Sequence, residues 1–222
     1  MAGNPSLRLL STRATPEPAV QSPSVLSVSL EGMRFDDKPV LGQIDLRLHA
    51  GETVALTGPS GIGKTTLMRV IAGLETRFDG HIRTPDQLAM VFQEPTLMPW
   101  RTVSDNLRIP LNISPDAIEI ALEEVGLAGR GNAFPNQLSL GQQRRLSLAR
   151  AFAGDPQLLL LDEPFVSLDA DLADEMMSLF EALRAKRRVA TLLVTHALSE
   201  AERLATRILT LSGTPATLAS RP

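Results

Sequence analysis

The chain contains no cysteine. Disulfide frameworks, zinc ribbons, thiolate metal sites and a cysteine nucleophile are therefore excluded. Histidine is scarce, with only His49, His81 and His196, and their spacing does not collect them at one metal. Long apolar runs are missing too. The longest clean one, Leu158-Leu159-Leu160-Leu161, suits a buried strand and falls far short of the ~20 residues that cross a bilayer. Neither sign of charge prevails: 22 Lys and Arg face 25 Asp and Glu, a net charge of -3. That balance argues against a strongly basic nucleic-acid binder and against an acidic solvating tail. Lysine is rare, with only Lys38, Lys64 and Lys186 among the 22 basic residues, so a lysine at a special position stands out. What remains is ordinary: 43% hydrophobic residues in a chain of 222 supply the core of one or two domains.

Met1 to Ser24 carry Pro5, Pro16, Pro18 and Pro23 among Ser, Thr and Ala, without the unbroken apolar stretch of a signal peptide. This composition predicts a disordered leader over 1–24 and a single domain over 25–222. Val25 to Phe35 and Val40 to Leu48 read as two strands around an Asp36-Asp37-Lys38-Pro39 turn. Thr53 to Thr57 is a short apolar strand. Lys64 to Ala72 is helical, with Leu67, Val70 and Ile71 on one face and Gly73 as its stop. Further strands are expected at Leu88 to Phe92, Leu158 to Leu161, Val189 to Val194 and Arg207 to Leu211. Helices are expected at Ala170 to Ala185 and Ala197 to Leu204. Residues 94–103 should form a structured loop, and 104–153 are mostly helical, with a start at Ser114-Pro115-Asp116 and a second helix from Gly141 to Ala153. The alternation defines an α/β fold with a mostly parallel sheet, interrupted by a helical insert over roughly 94–153.

Gly58-Pro59-Ser60-Gly61-Ile62-Gly63-Lys64-Thr65 matches the pattern G-x-x-x-x-G-K-[ST], between a strand and a helix. Glycines let the backbone turn tightly enough for several N–H groups to face one anion, and the helix N-terminus adds partial positive charge. Lys64 then reaches the β- and γ-phosphates, and Thr65 offers its hydroxyl to Mg²⁺. Farther on, Leu158 to Leu161 end in Asp162-Glu163-Pro164, two acids at the carboxyl end of a strand, where open α/β sheets bind ligands. Alone, such a pair also fits a cap on the following segment. Beside a phosphate loop, Asp162 is read as the Mg²⁺ residue, acting through water, and Glu163 as the general base. A dication also explains how two carboxylates coexist at a low-dielectric sheet edge.

Leu138-Ser139-Leu140-Gly141-Gln142 precedes the helix that carries Arg144, Arg145 and Arg150. With these residues, the chain resembles the nucleotide-binding subunit of an ATP-binding cassette (ABC) transporter over about residues 25–211. The resemblance implies the P-loop NTPase fold of ABC ATPases: a mostly parallel core sheet, an antiparallel β-subdomain and a helical insert. It implies ATP and Mg²⁺ as cofactors. Gly58, Pro59, Ser60, Gly61, Ile62, Gly63, Lys64, Thr65 and Thr66 would hold the phosphates, and Phe35, 29 positions before Lys64, would stack on adenine. Thr65, Gln93 and Asp162 fall to the metal; Lys64, Gln93, Glu163 and His196 fall to catalysis, His196 contacting the γ-phosphate and orienting Glu163. Ser139, Gly141 and Gln142 match a signature, usually Leu-Ser-Gly-Gly-Gln, that closes on the nucleotide of the opposite subunit. Leu140 replaces the middle glycine, which is tolerable if φ is negative there and damaging if φ must be positive. Asp169, in Ser167-Leu168-Asp169, belongs to a loop that crosses the dimer interface.

A homodimer or paired cassette is thus expected on the cytoplasmic face of the inner membrane, as a peripheral subunit. Membrane permease chains would dock near Gln93, Leu97, Met98, Pro99, Trp100 and Arg101, with a periplasmic substrate-binding protein as an indirect partner and no nucleic acid. Phe92 to Pro95, Trp100 to Val103 and Asn106-Leu107 resemble the nitrate/sulfonate/taurine import group. The alternative is a soluble ABC ATPase of DNA repair or translation, which would carry a long coiled coil or a second cassette.

Overall fold

A computed structural model describes residues 24–36 and 38–220; residues 1–23 of the expected leader, and Asp37 in the expected turn, lie outside the described residues. The described residues begin with a long strand, β1 (Ser24–Phe35), which takes in Ser24 of the expected leader and whose side chains alternate between buried and less buried from Leu26 to Glu31, where the register shifts. Antiparallel to it run β2 (Lys38–Leu41) and β3 (Ile44–His49). The continuous strand expected from Val40 to Leu48 is therefore broken at Gly42-Gln43. The Gly42 N–H donates to the Ala216 carbonyl at 2.8 Å, and a Cβ on Gly42 would stand 3.0 Å from Thr217. The chain passes so close to residues 216–217 there that a side chain would have to push Thr217 aside.

The next elements are β4 (Thr53–Thr57), α1 (Lys64–Ile71), β5 (Asp79–Arg83) and β6 (Leu88–Val91). The helical insert follows: α2 (Val103–Leu111), α3 (Pro115–Glu124), a 3₁₀ turn (Pro135–Gln137) and α4 (Leu140–Ala153). The chain then alternates through β7 (Leu158–Asp162), α5 (Ala170–Ala185), β8 (Ala190–Val194), α6 (Leu198–Leu204), β9 (Arg207–Gly213) and β10 (Ala216–Ser220). Sequence patterning missed β5 and β10. None of the β5 residues is fully buried, so the strand has no apolar stripe, and it exists by pairing with β1. Likewise, β10 turns only Ala216 and Leu218 to the core, too short a pattern to stand out, and is held by its antiparallel ladder with β9.

The sheet runs β3-β1-β2-β10-β9-β4-β8-β7-β6, with β5 joined to β1. Strands β9, β4, β8, β7 and β6 are mutually parallel, whereas β1, β2, β3 and β5 pair antiparallel. The apolar run in β7 divides between the two faces by the period of two that a strand imposes. Leu158 and Leu160 join one core with α1 and the antiparallel strands; Leu159 and Leu161 join the other with α2 to α5. All four are fully buried, each contributing about 1.5–3 kcal/mol of hydrophobic stabilisation.

Register decides where the functional residues fall. Leu56 on β4 and Asp162 on β7 both lie opposite Val194 of β8, and Val91 of β6 lies opposite Leu161. The residues just beyond these positions therefore emerge at one edge of the sheet: Gly58 after β4, Gln93 after β6, Glu163 after β7 and His196 after β8.

Candidate nucleotide site

Gly58 has φ 142, and a Cβ there would come within 2.4 Å of the Leu211 carbonyl oxygen. Gly63 has φ 113, with the Leu41 side chain 2.8 Å from any added Cβ. Both values lie where L side chains are strained, so the loop between them folds as glycine alone permits. Ile62 turns its side chain into the core and its N–H toward the Pro59 carbonyl at 3.4 Å. The buried Lys64 bridges the loop, its Nζ donating to the carbonyls of Gly58 and Pro59 at 2.9 Å each. An ammonium has three protons, so one is left for a ligand. Helix α1 follows Gly63 with no side-chain cap, which leaves its first-turn N–H groups for an anion.

Ser60, Gly61, Gly63, Lys64, Thr65, Thr66, Gln93 and Glu163 line one cleft of about 260 Å³. From this lining the Thr65 hydroxyl donates to Asp162 Oδ1 at 3.3 Å. Burial pushes the Asp162 carboxyl above its usual range, and the neighbouring Glu163 charge pushes the same way; the Thr65 hydrogen bond and Lys64 pull it back. Asp162 is only 7% exposed, so its ionised form calls for a cation. Glu163 adopts φ 48, and its N–H donates to the Val194 carbonyl at 2.9 Å. This conformation is uncommon for a residue other than glycine. It turns the carboxylate out of the strand direction, toward the cleft. His196 Nδ1 lies 3.4 Å from Glu163 Oε2. A tight turn sets His196 in place: the Thr195 hydroxyl donates to Glu200 at 2.5 Å and accepts from the Ala197 N–H at 3.0 Å.

Phe35, Ser139, Gly141 and Gln142, all expected at the site, do not line this cleft. Ser139 caps α4, its hydroxyl accepting from the Gln142 N–H at 3.2 Å, while the Gln142 side chain accepts from the Ser139 N–H at 3.0 Å. The pair forms a reciprocal capping box. Gly141 sits where a Cβ would stand 3.0 Å from Leu172, so glycine permits the close approach of α4 to α5. Leu140 is the first residue of α4, half exposed, and its φ is not positive, so it carries no left-handed strain. Asp169, expected at an interface, caps α5 by accepting from the Leu172 N–H at 2.9 Å. Phe35 is 39% exposed and carries the Arg77 guanidinium 5.9 Å from its ring centroid. Glu75 grips Arg77 through two side-chain bonds of 3.2 Å, which hold the Glu75 carboxyl down at about 2.

The loop after β6 is built by residues to which sequence patterning assigned no structural role. Asn106 of α2 is fully buried; it accepts from the Met98 N–H at 2.7 Å and donates to the carbonyls of Met98, Arg101 and Thr102. Arg150 of α4 donates to the Thr96 carbonyl at 2.8 Å. Between these anchors Trp100 is held 72% exposed. A buried asparagine on an otherwise apolar helix face was the available signal, and only the loop it organises gives it meaning.

A glycine-formed phosphate loop that opens a helix, with acids and a histidine at neighbouring parallel strand ends, defines a P-loop nucleoside triphosphatase. A family model described as ABC transporter matches residues 41–166. The aliphatic sulfonates import ATP-binding protein SsuB 2 of Rhizobium johnstonii is 46% identical over 202 residues, covering 88% of this chain and 81% of that protein. SsuB 3 of Rhodococcus jostii, which bears the same description, is 47% identical over 193 residues, 85% of this chain and 72% of that protein. For SsuB 1 of Pseudomonas syringae pv. syringae the identity is 42% over 198 residues, with 88% and 84% covered. The chain belongs to the ABC transporter family, as an ATP-binding subunit that hydrolyses ATP to power transport. A subunit of this kind works with membrane permease components. Among the described residues, no helix is long and apolar enough to cross a membrane.

Proposed function

We propose that two copies of this chain sandwich two ATP molecules and drive a permease that imports an aliphatic sulfonate. The cargo class rests on the relatives, which are import proteins for aliphatic sulfonates. Their names also disfavour a soluble ATPase of DNA repair or translation. One arrangement carries the paired reading. The strand register puts Lys64, Gln93, Glu163 and His196 at one sheet edge, while the helix end bearing Ser139 to Gln142 lies outside that cleft. Each chain thus offers half of a site on each of two surfaces, and a closed two-fold pair completes both.

In this reading the uncapped start of α1 and Lys64 bind the phosphates, and Phe35 stacks on the base. The donors Thr65 Oγ1 and Asp162, with Gln93 in the same cleft, are all oxygen, which suits a hard cation such as Mg²⁺. When bound, Mg²⁺ neutralises phosphate charge. Glu163 takes a proton from the attacking water, and His196, 3.4 Å away, holds the Glu163 carboxylate in position. The helix end at Ser139 and Gly141 of the opposite copy closes over the γ-phosphate. The exposed Trp100, fixed by Asn106, docks against a permease helix on the cytoplasmic face of the membrane, with a substrate-binding protein on the far side delivering cargo.

The test is Glu163→Gln. The variant should bind ATP as the parent does, lose hydrolysis by roughly 10²–10⁴-fold, and elute as an ATP-dependent dimer on size exclusion. Parent-like turnover would remove Glu163 as the base. A monomer at saturating ATP would remove the paired site.

A further inference from the structure

Arg144 lies on α4, five residues after Ser139, and no functional role has yet absorbed it. It is 8% exposed, and no carboxylate lies within 4 Å of it among the described residues. Its surroundings are mostly apolar and include Phe92, Leu148, Phe165 and Met176. Burial lowers its pKa, and its Nε meets no acceptor. Burying a lone guanidinium is unfavourable, and a methionine would fill the same space without that cost.

A methionine cannot make the two hydrogen bonds that Arg144 makes. Nη1 donates to the Pro164 carbonyl and Nη2 to the Val166 carbonyl, the latter at 2.8 Å. Those carbonyls belong to the loop that runs from Glu163 to Ser167, and both of these end residues have positive φ, 48 and 61. Strained backbone of this kind persists only where its surroundings hold it. Here the planar fork of one arginine holds the two carbonyls between the strained positions. Its helix starts at Ser139, at the surface assigned above to the other copy's nucleotide.

We infer that Arg144 is a positioning residue that ties the helix facing the partner copy's ATP to the loop carrying Glu163, so that closure on one nucleotide sets the base at the other. The inference rests on the paired-copy reading. A two-donor side chain bridging rigid elements transmits displacement of α4 to the loop directly, because Arg144 contacts both and slack is limited by packing.

The experiment compares the full-length parent with Arg144→Met and Arg144→Gln, measuring ATP affinity, kcat, KM and the Hill coefficient for ATP. Displacement of a catalytic group by about 1 Å can cost 10²-fold. For Arg144→Met we therefore expect kcat to fall at least about tenfold, ATP affinity to stay within about twofold, and the Hill coefficient to drop to one. Arg144→Gln keeps one amide donor and should fall between; it carries the test if the methionine variant does not fold. Equal Hill coefficients in parent and variants overturn the inference. So does a kcat within about twofold of the parent, or a joint fall of affinity and kcat, which would make Arg144 a packing residue. Measuring ATP-dependent pairing of Glu163→Gln alongside Arg144→Met separates the two readings. If Glu163→Gln alone does not pair with ATP, the paired-copy reading fails; if it pairs and Arg144→Met is parent-like, only the inference fails.

Discussion

Two helix N-termini are assigned to the same phosphates, yet they are built differently. Helix α1 begins at Gly63 without any side-chain cap, so an anion is the natural partner of its first turn. Helix α4 begins with Ser139 and Gln142 already satisfying one another. The first end is shaped to receive a ligand. The second is stable by itself and can be presented on a surface. Glycine differs between them in the same sense: backbone conformation demands it at Gly58 and Gly63, whereas the position of Leu140 is an ordinary helical one.

The sharpest way to break this comparison is Gly58→Ala against Leu140→Gly. Gly58→Ala forces a Cβ against the Leu211 carbonyl at a φ of 142, so it should cost about 2–4 kcal/mol in urea unfolding and abolish nucleotide binding. Leu140→Gly should cost at most about 1 kcal/mol, the helix propensity difference, and leave nucleotide binding by the single chain unchanged. Comparable losses for the two would erase the distinction. Next in size is Ser139→Ala, which removes half of the capping box and should cost about 1 kcal/mol by thermal unfolding. ATP binding to the isolated chain should not change, because Ser139 lies outside the cleft, whereas turnover should fall.

The smallest effect concerns Asp162, and its sign is unusual. Burial raises its pKa in the folded state above the unfolded value. The unfolded chain therefore releases this proton first, and the carboxyl's contribution to stability declines as pH rises from the ordinary aspartate range through the raised value. Asp162→Asn should thus melt higher than the parent at neutral pH without ligand, and gain less from Mg²⁺ and ATP. A lower melting point for the ligand-free variant would contradict the cation-dependent reading of this site.

Much of this architecture was legible in one dimension. The period of two in β1 and β7, and the glycine spacing before Lys64, are local patterns produced by local physics. Strands β5 and β10 were not legible, because β5 turns only Ile82 to the core and β10 only Ala216 and Leu218. The break at Gly42 was hidden as well, since its cause is a strand more than 170 positions away in the chain. Asn106 and Arg150 looked like ordinary polar residues of helices until the loop around Trp100 was seen to hang from them.

By itself, then, the order of residues determined most of the strands and helices, the glycine spacing before Lys64, and the pair of acids at the end of β7. Those properties depend on neighbours within a few positions. Only the tertiary structure decided the φ of 48 that turns Glu163 toward the cleft, that Leu140 is free of strain, and that Arg144 joins two distant elements. Each of these depends on the register of strands and on carbonyls that have no side-chain identity, so no residue pattern could record them.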